Sequence, residues 1–173
     1  MTGGPIAGPL RIFVADDVPD MRALVRFALA QAPDMLVVGE AATGAATVRG
    51  IGDLHPDVLL LDLSMPDLNG LEVIPYVVEH APDTGIVVFS GFEAARMRGP
   101  ATALGAHRYV EKGRPLEELR AAIRQVGGAK RTGRLGRGRG GSGAPSSLSA
   151  MWDSRRTVRD GLRRVPGLGR AQA

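Results

Sequence analysis

Between residues 9 and 127 the sequence alternates short apolar runs with longer amphipathic stretches, and this alternation most constrains the fold. Strand and helix patterns in regular alternation are typical of a parallel sheet with helices packed on its faces. The central runs contain no polar residue, as expected for strands that are covered on both sides. The five predicted strands cover residues 10–15, 35–39, 58–61, 85–89 and 107–110.

Apolar residues at helical spacing fill the intervals between these strands. Clear stripes begin at Met21, Leu71 and Leu116. The pattern over residues 93–104 is weaker, and Pro100, which follows a glycine, is expected to break or kink a helix there. We therefore predict an α/β fold, a doubly wound (βα)5 parallel sheet with strand order 2-1-3-4-5.

Charge divides the chain into two parts. Residues 1–127 contain 11 Lys or Arg and 16 Asp or Glu, a net charge of −5, whereas residues 128–173 contain 11 and 2, a net charge of +9. After the last apolar stripe the sequence becomes rich in Gly, Arg and Ser, with little to bury. We predict a folded domain over 9–127, a disordered linker over 128–147, and a basic tail over 148–173 with a short amphipathic pattern.

Composition excludes several classes of site. The chain has no cysteine, which rules out disulfides, thiolate metal sites and a cysteine nucleophile. Its sequence has no apolar run of membrane-spanning length and does not begin with a signal-peptide pattern. We expect a cytoplasmic protein without a membrane span.

Carboxylates follow two of the predicted strands directly. Asp16 and Asp17 follow the first strand, and Asp62 follows the third. With strand order 2-1-3-4-5 these ends meet at the crevice where the strand order reverses. Three converging carboxylates repel one another unless a cation balances them, and Mg²⁺ is a hard cation that prefers such oxygen ligands.

The remaining polar residues at this edge suit phosphoryl transfer. An ionised carboxylate such as Asp62 needs no general base to attack phosphorus. Ser90 ends the fourth strand and Lys112 follows the fifth, so a hydroxyl and an ammonium group would reach the same crevice. The sequence therefore supplies a nucleophile, metal ligands, a hydrogen-bond donor and a positive charge.

These segments resemble the motifs of response-regulator receiver domains of two-component signalling, which have a flavodoxin-like fold. The motifs are VADD at 14–17, LLLDLSMPDLNG at 59–70, VVFSG at 87–91 and YVEKG at 109–113. The Lys-Gly pair in YVEKG, and VVGEAATG at 37–44, resemble the branch that carries LuxR-type output domains. The sequence after this region shows no such output domain.

The resemblance implies a metal site. Asp62 would be the phosphoacceptor, Asp17 and Asp62 would ligate Mg²⁺ together with the backbone carbonyl of Ser64, and Asp16 would orient metal-bound water.

The resemblance also implies a switch. Ser90 and Lys112 would contact the phosphoryl group, and Tyr109 would be the aromatic residue whose rotamer reports phosphorylation. The donor would be a sensor histidine kinase or a phosphotransfer protein, and the phosphorylated form would change its affinity for a downstream protein. On this interpretation the chain is a signalling module and not an enzyme.

Other interpretations of the same residues stay open at this point. Asp16 and Asp17 before Pro19 are also typical of a helix N-terminus with a cap and a first-turn acid. The basic tail suggests a nucleic-acid-binding regulator, although its RGRGG run lacks the aromatic residues that stack on bases. A dehalogenase-like phosphatase is a third hypothesis, but its Asp-x-Asp motif does not match the Asp-Asp-Val found here.

Overall fold

The five apolar segments form strands and the five amphipathic segments form helices in the computed structural model, which describes residues 8–134. Three strands differ by one or two residues from their expected bounds: the second and fourth continue further, and the fifth starts and ends one residue later. No helix within these residues has both the length and the apolar character needed to cross a membrane. In chain order the elements are β1 (Leu10–Ala15), α1 (Pro19–Ala30), β2 (Met35–Ala41), α2 (Gly44–Leu54), β3 (Val58–Leu61), α3 (Gly70–His80), β4 (Gly85–Ser90), α4 (Ala94–Leu104), β5 (Arg108–Glu111) and α5 (Leu116–Arg131).

The strands lie in the order β2-β1-β3-β4-β5, and all neighbouring pairs are parallel. The predicted doubly wound α/β fold and its strand order are confirmed. The order reverses between β1 and β3, which leaves a crevice beyond their carboxyl ends. Ala15 is the register partner of Leu61, so the residues that follow them emerge side by side.

Both faces of the sheet are buried. Every residue of β3 and β4 is buried, which explains their uninterrupted apolar runs. Ile12 and Leu60 belong to the core cluster that includes residues of α1 and α5. Phe13 points to the opposite face, where its ring lies so close to Gly50 of α2 that an added Cβ would come within 2.4 Å of it. Burying each such side chain contributes about 1.5–3 kcal/mol, so the core holds the strand ends in fixed positions.

The expected break at Pro100 does not occur. α4 is continuous across Pro100 and ends at Gly105, which has a φ of 116°. The proline lacks an N–H and therefore removes one hydrogen bond from the helix. Ala101, directly after it, is fully buried against the domain, and this packing offsets the cost of the proline. Proline weakens this helix without ending it.

The last helix is longer than expected, because α5 runs to Arg131 and includes the first four residues assigned to the linker. Arg131 donates hydrogen bonds to both carboxylate oxygens of Asp57 and to the backbone oxygens of Gly8 and Pro9. Although burial opposes it, this pairing holds the pKa of Asp57 below its ordinary value. The rest of the predicted linker and the basic tail lie outside the described residues after Arg134.

Candidate functional site

Three carboxylates meet at the crevice between β1 and β3. Asp16 and Asp62 each continue the sheet hydrogen bonding by one residue. The N–H of Asp16 donates to the carbonyl oxygen of Ala41 at 3.0 Å, and the N–H of Asp62 donates to that of Ala15 at 2.8 Å. Both aspartates are only 3% exposed, whereas Asp17 is exposed. One oxygen from each of the three carboxylates lies within 4.8 Å of the other two. The strand ends thus bring together the three acids that the sequence analysis singled out.

Lys112 reaches the same crevice from the end of β5. Its Nζ lies 2.6 Å from Asp16 Oδ2 and 2.8 Å from Asp62 Oδ2. Burial opposes the charge of this lysine, but the two carboxylates outweigh it and raise the pKa of Lys112 above its ordinary value. Its backbone N–H donates to the carbonyl oxygen of Ser90 at 2.8 Å, which fixes the base of the side chain. Lys112 is therefore held charged, between two acids.

The two carboxylate oxygens of Asp62 have different environments, since Oδ2 binds Lys112 and Oδ1 does not have a hydrogen-bond partner within the described part of the chain. Among the buried side-chain nitrogen and oxygen atoms of residues 8–134, Asp62 Oδ1 is the one without a hydrogen-bond partner. Such orphaned atoms are rare in folded proteins, because desolvation without a partner costs free energy. The three carboxylates and Lys112 carry a formal charge of −2, which one divalent cation would neutralise. An all-oxygen donor set with an unpaired buried oxygen fits a hard cation such as Mg²⁺.

Ser90 and Tyr109 lie next to each other beside this cluster. Ser90 is fully buried, and its Oγ accepts a long hydrogen bond of 3.5 Å from the N–H of Phe92. Tyr109 is 8% exposed, and its hydroxyl donates to the carbonyl oxygen of Phe92 at 2.8 Å. Burial raises the pKa of Tyr109, and a hydrogen bond with Ser90 opposes part of that change. The ring of Tyr109 already points inward, so both side chains hold the loop between β4 and α4.

The loop after Asp62 is shaped by close backbone contacts. A Cβ on Gly70 would lie 2.3 Å from the carbonyl oxygen of Asp62, so only glycine fits where α3 begins. Asp67 has a φ of 68°, a left-handed conformation that Asp tolerates better than most residues. Its Oδ1 accepts a hydrogen bond from the N–H of Gly44 at 3.0 Å, which ties the loop to the start of α2. Ser64 lies in this loop with its side chain exposed.

Two residues that shape the site were not singled out from the sequence. Asp67 is one, and Glu111 is the other, since its Oε1 accepts a hydrogen bond from the N–H of Ala94 at the start of α4. Glu111 carries a weak sequence signal, because it precedes Lys112 and lies two residues after Tyr109 on the same strand face. That signal indicates which face of the strand it occupies but not the backbone group that it binds.

Residues 12–124 match the family model described as the response regulator receiver domain. The chain is 39% identical over 121 residues to the uncharacterized transcriptional regulatory protein YhcZ of Bacillus subtilis, covering 70% of this chain and 56% of that protein. It is 37% identical over 118 residues to the nitrate/nitrite response regulator protein NarL of Escherichia coli, covering 68% of this chain and 55% of that protein.

The fold also matches a solved structure, the response regulator domain of CheB from Thermotoga maritima. The TM-score is 0.65 at 31% identity, and the match covers 69% of this chain and 97% of that one. By contrast, the chain spans a little over half the length of the two curated relatives. The similarity therefore concerns one domain of those proteins.

Proposed function

The chain belongs to the response regulator receiver domain family of two-component systems, and we propose that it signals by accepting a phosphoryl group on Asp62. The donor is a histidine kinase or a phosphotransfer protein, and the readout is a changed affinity for a downstream protein. Asp17 and Asp62 would hold Mg²⁺ in this site together with the backbone carbonyl of Ser64, and Asp16 would orient water bound to it.

The observation that carries this proposal is the unequal environment of the two oxygens of Asp62. Oδ2 is held by the ammonium group of Lys112 at 2.8 Å, and Oδ1 is buried without a hydrogen-bond partner. The salt bridge orients the carboxylate, while Oδ1 keeps lone pairs that no donor among the described residues occupies. A purely structural aspartate would gain by pairing both oxygens.

Asp62, Lys112 and Ser90 have different roles in the proposed phosphoryl transfer. A carboxylate oxygen of Asp62 forms a bond to phosphorus as the bond from phosphorus to the donor breaks, and the donor leaves with that electron pair. Lys112 and the hydroxyl of Ser90 are placed to hold the phosphoryl oxygens, since both lie beside Asp62 at the strand ends. Mg²⁺ held by these carboxylates would supply charge neutralisation for those oxygens.

The test is incubation with acetyl phosphate and Mg²⁺, read by intact mass. We expect the parent to gain one acid-labile phosphoryl adduct and Asp62→Asn to gain none, because an amide does not attack phosphorus. Asp57→Asn is the matched control, as Asp57 lies at the opposite end of β3, and it should be labelled like the parent. Full labelling of Asp62→Asn would place the phosphoacceptor elsewhere.

A further inference from the structure

α4 has few contacts that hold its first turn. Among the described residues of this helix only Ala101 is buried, and Pro100 lacks an N–H. The N-cap residue Glu93 makes no side-chain capping bond, and the first turn contains no acidic residue. A helix start without such partners leaves its first N–H groups unsatisfied and is less stable than a capped one.

The missing cap comes from another element. Glu111 of β5 accepts a hydrogen bond from the N–H of Ala94, the first residue of α4. Two residues earlier on the same strand face, the hydroxyl of Tyr109 donates to the carbonyl oxygen of Phe92. β5 thus binds the loop between β4 and α4 at two points, and Glu111 supplies the negative charge that favours a helix N-terminus.

We propose that Glu111 is a positioning residue that holds α4 in its resting place and opposes phosphorylation of Asp62. This inference rests on the proposed function. Ser90 is the register partner of Glu111, and its Oγ accepts from the N–H of Phe92 in the same loop. When Ser90 turns toward a phosphoryl oxygen, it gives up that bond and the loop must shift relative to β5.

Such a shift has an energetic cost while Glu111 holds the loop. The carboxylate keeps its bond to Ala94 only if the loop stays where it is, so the contact favours the unphosphorylated arrangement. Removing the contact should enlarge the fraction of molecules that are ready to receive the phosphoryl group. Glu111 acts through the loop that follows Ser90 and not on Asp62 directly.

The first measurement is amide exchange without any phosphoryl donor, in the full chain. In Glu111→Leu the backbone amides of residues 94–97 should exchange about fivefold faster than in the parent, because the helix cap is lost. Glu111→Gln keeps an oxygen acceptor, so its exchange rate over these residues should stay within about twofold of the rate in the parent. The matched control is Glu93→Leu, which removes a neighbouring charge that caps nothing. Glu111→Ala replaces the leucine variant if leucine disturbs folding.

The second measurement is the rate of phosphorylation by acetyl phosphate at saturating Mg²⁺. Glu111→Leu should raise the rate about fivefold, and Glu111→Gln should restore a rate near that of the parent. Unchanged exchange, or faster exchange with an unchanged or slower rate, would overturn the role of Glu111. A parent that accepts no phosphoryl group would instead overturn the proposed function itself, whatever the exchange of residues 94–97 shows.

Discussion

Asp62 has one oxygen bound by an ammonium group and another that is buried and unpaired. Lys112 approaches from β5, on the far side of β4, and its ammonium group also binds Asp16, which follows β1. A single ammonium group is shared among three carboxylates, so the site keeps a net formal charge of −2 that a cation would balance.

Asp17 is the member of the cluster whose contribution can be tested without disturbing the core. Its side chain is exposed, so Asp17→Asn should fold normally and lose at least about tenfold in Mg²⁺ affinity by removing one charged ligand. Calorimetric titration with MgCl2 measures the change. Asp20→Asn, in the first turn of α1, is the control for loss of a nearby charge. An unchanged affinity in Asp17→Asn would contradict the assigned cation site.

At the scale of elements, β4 and β5 together hold the loop that leads into α4. Ser90 ends β4 with a long hydrogen bond to Phe92, and Tyr109 and Glu111 hold the same loop from β5. α4 beyond this loop has little buried surface. Segments with few buried apolar contacts lie at the low end of local stability, so this segment should respond first to a new charge at Asp62.

Beryllofluoride, standing in for the phosphoryl group, should change amide exchange most within residues 90–112. Ser90→Ala should leave phosphorylation possible but greatly reduce this change, because the hydroxyl that transmits the new charge is missing. Mass-detected hydrogen exchange measures both. Thr102→Ala removes an exposed hydroxyl from α4 and should respond like the parent. A full response in Ser90→Ala would make Lys112 the route instead.

The elements differ in how well the sequence predicts them, for identifiable reasons. β3 and β4 were predictable because strands buried on both faces must be apolar throughout. The end of α5 was not, because Gly127 and Gly128 resemble a helix stop. Gly127 instead reflects close packing, since a Cβ there would lie 2.6 Å from Leu10. The capping contact of Glu111 is equally hidden, because its partner is a backbone N–H on another element.

The sequence predicts those parts of the site that depend only on the order of the strands. Asp16, Asp62 and Lys112 each come directly after a strand, so parallel order alone brings them to one edge. The resemblance to the receiver family then suggested roles for Ser64 and Tyr109, which position alone could not. Distances, and the inward orientation of the Tyr109 ring, depend on packing that no local pattern encodes.

At the scale of the whole molecule, a half-buried histidine at the other end of the sheet links stability to pH. His107 Nδ1 accepts a hydrogen bond from the N–H of Ile86 at 3.0 Å, and so must be unprotonated. Burial, with a smaller effect of Lys130, lowers the pKa of His107 to about 4. The unfolded chain binds a proton between that value and the ordinary pKa of about 6.5, so folding loses stability as the pH falls through this window.

Allowing for partial solvent screening, the loss should be about 1 kcal/mol between pH 7 and pH 5. His107→Asn offers an acceptor oxygen that does not titrate and should remove this part of the pH dependence. Urea denaturation at both pH values measures the difference. The control is His55→Asn, at an exposed position with a φ of 45° that Asn tolerates. Equal acid sensitivity in His107→Asn and the parent would show that His107 is not the linked group.

Arg131, near the end of α5, lies next to the start of β1, because its guanidinium group binds the backbone oxygens of Gly8 and Pro9 as well as Asp57. These contacts lie at the amino ends of the strands, and the six residues of β1 place them about 20 Å from Asp16. A domain whose ends are adjacent can be inserted as a unit into a surface loop of another protein. Grafted in this way, residues 8–134 would be attached at one edge and would leave the carboxylates at the opposite edge open to a donor.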